Sequence, residues 1–242
     1  MPAADTDATV RVPTRPKASG TSRLTVWHLL VLAALVALVI LFATDQIVPA
    51  SSERQAQLRI WLVARSTGVA ALLLLTVQVA LGLVLSHPVN KSTWKLSRTI
   101  FPWHDHLWVF VVAFLAIHVV SLVLDPYAGV GVGGAFVPGL SEYRSVPVAL
   151  GTLGLYAFLV TAISARWTKL LPAGVWLVLH RASIVVLGLA WAHGVLAGTD
   201  STALEPVYVG SGLLIALAAT YRYWAVKRAR PSFATSLPEA SR

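Results

Sequence analysis

The chain has 242 residues, of which 57% are hydrophobic and 12% charged, and its mean hydropathy is +0.73. This composition is far from that of a soluble domain and predicts a membrane protein with several spans. Cysteine is absent, which excludes disulfides, thiolate zinc sites, iron–sulfur clusters and covalent haem attachment through a CxxCH motif. The net charge of +9 does not indicate nucleic acid, because the basic residues lie in short loops beside apolar segments, where they set membrane orientation.

Six apolar segments predict six transmembrane helices. Residues 1–23 lack apolar periodicity and are expected to form a disordered cytoplasmic tail, and residues 227–242 a basic cytoplasmic tail. The predicted helices span residues 24–43, 59–86, about 104–124, 148–165, about 173–197 and about 204–224. The first has about 20 nearly unbroken apolar residues, enough for a bilayer core of about 30 Å. We therefore predict an all-α polytopic membrane helix bundle over residues 24–226.

The basic residues are distributed unequally between alternate loops. If the N-terminus is cytoplasmic, 15 of the 19 lysines and arginines fall on the inner side. The four on the outer side are Arg54, Arg59, Arg65 and Arg144. Cytoplasmic loops carry an excess of basic residues, so both termini are predicted to be cytoplasmic, with the chain in a bacterial plasma membrane. This orientation makes the third and fifth predicted helices parallel.

Those two helices each carry a histidine near both ends. His104 and His118 are 14 residues apart in the third helix, about 21 Å along its axis and within about 40° of one face. His180 and His193 are 13 apart in the fifth. Because the helices are predicted to be parallel, His104 and His180 share an inner level, and His118 and His193 share an outer one. Neutral imidazole is a ready ligand for iron, so the pattern predicts two non-covalent haems between the helices.

The assignment of ligands leaves alternatives open. His106 lies about 120° from the face of His118, so His104 is preferred as the inner ligand. In an ideal helix, His193 is rotated about 140° from His180, so tilt or distortion must bring both to the haems. A single intramembrane histidine can simply hydrogen-bond a neighbouring helix, but four at two levels are hard to explain as packing.

Two arginines are candidates for binding haem propionates. Arg65 lies about one turn inside the outer end of the second helix, where a cation is costly unless it meets an anion. Arg181 can serve the inner haem in the same way. The alternative for both is that their side chains extend to lipid headgroups. His28 is interpreted as an interfacial anchor and His87 as a solvated loop residue.

Residues 129–134, GVGVGG, match the pattern G-x-G-x-x-G. No strand or βαβ unit accompanies them, so we reject a nucleotide site there. No other stretch offers the roughly 100 residues that a flavin or nicotinamide module needs. Electrons are therefore expected to come from another molecule, and a flavin, if one takes part, is expected on that partner.

Four stretches within about residues 60–200 carry a family resemblance: ARSTGVAALLLLTVQVALG, HDHLWVFVVAFLAIHVVSLVLDPYAG, EYRSVPVALGTLG and LHRASIVVLGLAWAHG. They resemble the ferric reductase-like transmembrane domain, which is shared by NADPH oxidases and the haem subunit of a bacterial periplasmic methionine sulfoxide reductase. The resemblance implies that His104, His118, His180 and His193 are axial ligands of two b-type haems. The 13-residue spacing also matches the family pattern. The chain departs from full-length reductases, because no flavin and nicotinamide domain follows the sixth helix.

The leading hypothesis is a dihaem cytochrome b, an electron-transfer component that passes electrons outward from a separate flavoprotein or quinol donor to an extracytoplasmic acceptor. Bis-histidine ligation leaves no open iron position, which favours electron transfer. Ferric iron, a partner protein and oxygen are all candidate acceptors, and whether the chain is itself an oxidoreductase stays open. The alternative is a transporter or proton channel with a histidine relay. A di-iron desaturase would need clustered HxxxH motifs, which the sequence lacks.

Overall fold

A computed structural model describes residues 31, 52–86, 94–172, 174–199 and 201–229. Within these ranges the chain is helical and forms no strand. The elements are α1 (Glu53–Leu85), α2 (Trp94–Leu124), α3 (Gly131–Phe136), α4 (Ser145–Arg166), a 3₁₀ turn (Thr168–Leu170), α5 (Val175–Arg181), α6 (Ser183–Ala197) and α7 (Glu205–Ala229). The 1–23 tail, His28 and His87 lie outside the described residues, and so does the first predicted helix apart from Val31.

Four helical stretches among the described residues are long and apolar enough to cross a membrane. They are Glu53–Leu85, Lys95–Leu124, Ser145–Arg166 and Val175–Ala197, and the last of these runs through α5 and α6. The shortest has 22 residues, which exceeds the roughly 20 that a bilayer core requires. The all-helical character predicted from composition is therefore present, and the chain has the helices of a membrane protein.

The boundaries of two helices differ from those predicted. α2 begins at Trp94, about ten residues earlier than expected, and passes through Pro102. Proline removes one backbone donor, but neighbouring groups can compensate for that loss in a membrane helix, so the helix continues. α7 extends to Ala229, past the predicted domain boundary at 226, so the start of the basic tail is helical.

The packing of the helices leaves two of them apart. α1 packs against α2, α6 and α7, and α4 packs against α5 and α6. α2 and α6, the two longer histidine-bearing helices, have little direct backbone contact with each other. The buried core at the middle of the bundle consists of Leu72, Leu75, Val79, Val111, Phe158, Val186, Leu187 and Tyr208. Space therefore remains between the backbones of α2 and α6.

The fifth predicted helix is interrupted once, at Ala182. This residue has φ −65° and ψ −7°, and its carbonyl accepts hydrogen bonds from the N–H of Val185 at 2.9 Å (i→i+3) and of Val186 at 3.2 Å (i→i+4). A turn closed by i→i+3 bonds winds by about 120° per residue, compared with about 100° in an α-helix. Ideal geometry leaves His193 about 140° short of the direction of His180, and tighter winding reduces that shortfall. The break thus supplies part of the distortion that the 13-residue spacing requires.

Candidate functional site

The structure brings the four sequence-predicted histidines together in two pairs. The ring centroids of His104 (α2) and His180 (α5) are 5.9 Å apart, with ring planes at 87°. Those of His118 (α2) and His193 (α6) are 6.2 Å apart, with ring planes at 76°. These are the same pairs that the sequence places at an inner and an outer level. The two levels are separated along α2 by 14 residues, or about 21 Å of helix.

These separations suit two imidazoles on opposite sides of one metal ion. A metal–imidazole bond is about 2.0–2.1 Å long and the ring centroid lies about 1.1 Å behind the nitrogen, so opposed ligands have centroids about 6.3 Å apart. Two imidazoles joined by a hydrogen bond of about 2.9 Å would have centroids about 5.1 Å apart. The observed 5.9 and 6.2 Å are closer to the first arrangement.

Backbone carbonyls on neighbouring helices bind the Nδ1 nitrogen of three of these histidines. The Nδ1 to oxygen distances are 3.1 Å for His104 and Gln78, 2.6 Å for His118 and Ala64, and 2.8 Å for His193 and Pro147. A carbonyl oxygen only accepts, so Nδ1 donates its hydrogen and Nε2 keeps a free lone pair. This is the tautomer in which Nε2 binds a metal while an outer partner fixes the ring.

His180 differs from the other three histidines. Its Nδ1 is buried and has no hydrogen-bond partner within the described ranges. Its ring lies 6.0 Å from that of Trp176, one helical turn earlier, at 44°. The inner pair therefore contains one imidazole with a carbonyl partner and one without.

An apolar cavity of about 190 Å³, partly open to the surroundings, adjoins the pair formed by His118 and His193. These two histidines line it together with mainly apolar residues of α1, α2, α4, α6 and α7. Binding pockets for organic ligands are also lined mainly by apolar side chains with a few polar groups. The cavity is larger than a metal ion alone requires, and its lining is of the kind that binds an organic ligand.

The other sequence-predicted residues lie in different environments. Arg65 lines the outer cavity, with its guanidinium carbon 5.0 Å from the centroid of the Trp61 ring. Arg181 is exposed at the end of α5. The Nδ1 of His106 lies 2.7 Å from the carbonyl oxygen of Pro102 in its own helix. His106 therefore belongs to neither pair, and of the two arginines Arg65 is the one that lines the cavity with His118 and His193.

Two residues that bind the outer end of α6 were not anticipated as site residues. The Tyr143 hydroxyl donates to the Ala197 carbonyl at 2.9 Å, and Tyr143 also lines the cavity. Arg144, at φ +38°, donates to the carbonyls of Leu196 at 2.7 Å and Gly198 at 3.1 Å. Both fix the helix end beyond His193. The sequence contains the Tyr-Arg pair but no signal of which helix end it meets.

Comparison with protein-family models, curated proteins and solved structures finds no match for this chain. Its function is therefore inferred from the site itself. Each pair offers two imidazoles. These would hold haem iron, whose porphyrin would supply the remaining ligands, so the residues present fit that group.

Proposed function

We propose that this chain is a b-type membrane cytochrome that binds two haems and transfers electrons across the membrane. The observation that carries the proposal is the pair of imidazole separations, 5.9 and 6.2 Å, at two levels of one bundle. In this proposal His104 and His180 bind the inner haem iron, and His118 and His193 bind the outer one.

Haem iron, when bound, supplies a reversible one-electron carrier. Two imidazoles of the chain would bind each iron, which would leave no position for oxygen or substrate at the metal. Backbone carbonyls keep three imidazoles in one tautomer and orientation. The apolar lining of the outer cavity excludes water and lowers the local dielectric constant, which affects the reduction potential.

Arg65 is proposed as the partner of a propionate of the outer haem. It lines the cavity that contains His118 and His193, and a guanidinium within an apolar segment is best stabilised by an anion. Arg181 is proposed to contact a propionate of the inner haem in the same way. Because its side chain is exposed, this contact would lie at the protein surface.

The topology belongs to the same proposal. Residues 24–43 are proposed as the first of six spans, with both termini cytoplasmic and the chain in the bacterial plasma membrane, because the basic residues concentrate on one side. A separate cytoplasmic flavoprotein or a quinol supplies electrons at the inner level, and an extracytoplasmic acceptor receives them at the outer level. The chain is proposed to be a ferric reductase-like membrane component on the strength of the sequence resemblance.

A test of transmembrane transfer uses liposomes that contain the haem-loaded protein and trapped ferricyanide. Dithionite added outside should reduce the trapped ferricyanide, because the two haems connect the two faces. Liposomes with the His118→Ala variant should lose this activity by at least about tenfold, since an axial ligand of the chain's outer carrier is missing. A protein whose haems are reduced by dithionite while trapped ferricyanide stays oxidised would contradict the proposal. Solute or proton flux without electron transfer would favour the transporter alternative.

A further inference from the structure

Three glycines leave room for three of the histidine rings. A Cβ atom added to Gly68 would lie 2.8 Å from the ring of His118, and one added to Gly151 would lie 2.7 Å from the ring of His193. One added to Gly82 would lie 3.1 Å from the ring of His104. Real Cβ atoms essentially never approach a neighbour within 3.0 Å. An alanine at the first two positions would therefore displace the imidazole, and at the third it would press on it.

Each of these glycines lies four residues after the carbonyl that binds the same histidine. We call each such pair a carbonyl–glycine unit: Ala64 with Gly68, Gln78 with Gly82, and Pro147 with Gly151. Residues four apart lie on one face of a helix, one turn apart. Because glycine has no side chain, the imidazole ring can reach a carbonyl that already accepts a hydrogen bond within its helix. The second lone pair of that carbonyl oxygen accepts the hydrogen bond from Nδ1.

The units on α1 repeat with the same spacing as the histidines on α2. Gly68 and Gly82 are 14 residues apart, as are His104 and His118. The order is reversed, because the first unit on α1 contacts the later histidine on α2, as expected for antiparallel helices. Two units on α1 match the spacing of two histidines on α2, and a third unit lies on α4. This repetition indicates that the units are not a chance result of how the helices pack.

We propose that the three carbonyl–glycine units are positioning elements for the haem ligands, and that the outer site, which has two, binds haem more tightly than the inner site, which has one. The inner ligand His180 has a buried Nδ1 without a partner within the described ranges, and no described glycine has its ring among its nearest neighbours. The inference rests on the proposed haem function.

The physical reason is preorganisation. A ring fixed in one tautomer and one direction loses little freedom when Nε2 binds iron, whereas a free ring must be ordered at that moment. Removing the group that orients a metal ligand typically weakens metal affinity about 10- to 100-fold. The outer haem should therefore bind about 10- to 100-fold more tightly than the inner haem.

The experiment is a haem titration of the apoprotein in detergent, followed by absorbance. The two sites are measured separately in the His104→Ala and His118→Ala backgrounds, each of which keeps one complete pair. Gly68→Ala and Gly151→Ala should weaken the outer site about 10- to 100-fold and leave the inner site unchanged. Gly82→Ala should weaken haem binding only at the inner site. The loss of affinity should be smaller than at the outer site, because the added Cβ would lie 3.1 Å from the ring, farther than in the other two variants.

Gly188→Ala is the matched control. It lies on α6, five residues before His193, and an added Cβ there meets nothing within 4 Å. Alanine favours a helix over glycine, so none of these substitutions weakens a helix through backbone propensity. Gly188→Ala should bind both haems with wild-type affinity.

The outcomes separate this inference from the proposed function. A folded wild-type protein that binds no haem refutes the function. If the wild-type protein binds two haems, the positioning inference alone is refuted by either of two results. One is unchanged haem affinity in Gly68→Ala and Gly151→Ala, and the other is tighter binding at the inner site than at the outer site.

Imidazole ¹⁵N spectra of the apoprotein provide a readout without haem, because the Nδ1–H signals of His118 and His193 should shift in the corresponding glycine variants. If either outer variant fails to fold by circular dichroism, the Gly82→Ala result decides.

Discussion

At the scale of single residues, three of the four paired histidines have Nδ1 bound by a main-chain carbonyl of a neighbouring helix. This contact leaves Nε2 as the nitrogen that can bind a metal. The identity of the four residues and their pairing could be predicted from spacing and parallel helices. The carbonyl partners could not, because every residue has a carbonyl and the sequence does not show which one a ring meets.

The spacing of two glycines is a pattern that the sequence contains but that only the structure makes interpretable. Gly68 and Gly82 repeat the 14-residue interval of His104 and His118. In an apolar helix a glycine has many ordinary explanations, including close packing of any neighbouring helix. The interval alone therefore could not have identified these positions before the contacts were known.

Removal of single histidines should remove single haems. His104→Ala or His180→Ala should lower the content from about two haems per chain to about one by loss of the inner haem, because each haem depends on two axial ligands. His118→Ala or His193→Ala should remove the outer haem instead. Pyridine haemochrome analysis gives the content, and spectra of the single-haem variants identify which one remains.

The control for these variants is His106→Ala. The Nδ1 of His106 contacts the Pro102 carbonyl of its own helix, so this variant should keep both haems. Loss of a haem in His106→Ala together with full retention in His104→Ala would show that the inner ligand is misassigned.

Arg65 and Arg181 should behave differently. Arg65→Ala should weaken outer-haem affinity several-fold, because the side chain lines the cavity beside His118 and His193 and a charge-assisted bond to a propionate is lost. Arg181→Ala should weaken inner-haem affinity less than Arg65→Ala weakens outer-haem affinity, since water screens an exposed charge pair. Haem titrations of the two variants make the comparison. Equal effects at the two positions would contradict the role assigned to Arg65.

At the scale of elements, the tighter turn at Ala182 supplies part of the rotation that the 13-residue spacing requires. That interval predicted a distortion but not where it lies. Nothing in the residues around Ala182 is a strong helix breaker, so the sequence could not give its position. The early start of α2 is a similar case, because the helix begins at Trp94 and continues through Pro102.

Insertion of one alanine after Gly188 should disconnect the outer pair. The insertion rotates His193 by about 100° and moves it about 1.5 Å along α6 relative to His180. The outer haem should be lost and the inner haem kept, as measured by haem content and by the spectrum of the remaining haem. Gly188→Ala is the control, since an added Cβ there meets nothing within 4 Å. An insertion variant with both haems intact would argue against the helical register of α6.

At the scale of the whole molecule, the bundle leaves α2 and α6 apart. α2 packs on α1 and α6 packs on α4, and the space between them contains the pair formed by His118 and His193. The four apolar helices that the structure describes were readable from the sequence, because each segment is long and strongly hydrophobic. The gap was not, because a hydrophobic residue that faces a neighbouring helix looks the same in the sequence as one that faces a cofactor.

The orientation in the membrane can be tested by labelling, because the natural chain has no cysteine. Glu142→Cys and Lys169→Cys each introduce one exposed thiol, at opposite ends of α4. A membrane-impermeant maleimide should label Glu142→Cys in intact cells and Lys169→Cys only after permeabilisation, as the distribution of basic residues predicts. The reverse pattern would invert the topology.

The most direct test of the dihaem proposal is a reduced-minus-oxidised absorption spectrum of the purified, folded protein, with haem quantified in the same sample. The structure pairs four imidazoles at two levels, at separations of 5.9 and 6.2 Å, and bis-histidine ligation of each pair predicts b-type bands and two haems per chain. A fully folded protein that is colourless and binds no added haem would contradict it.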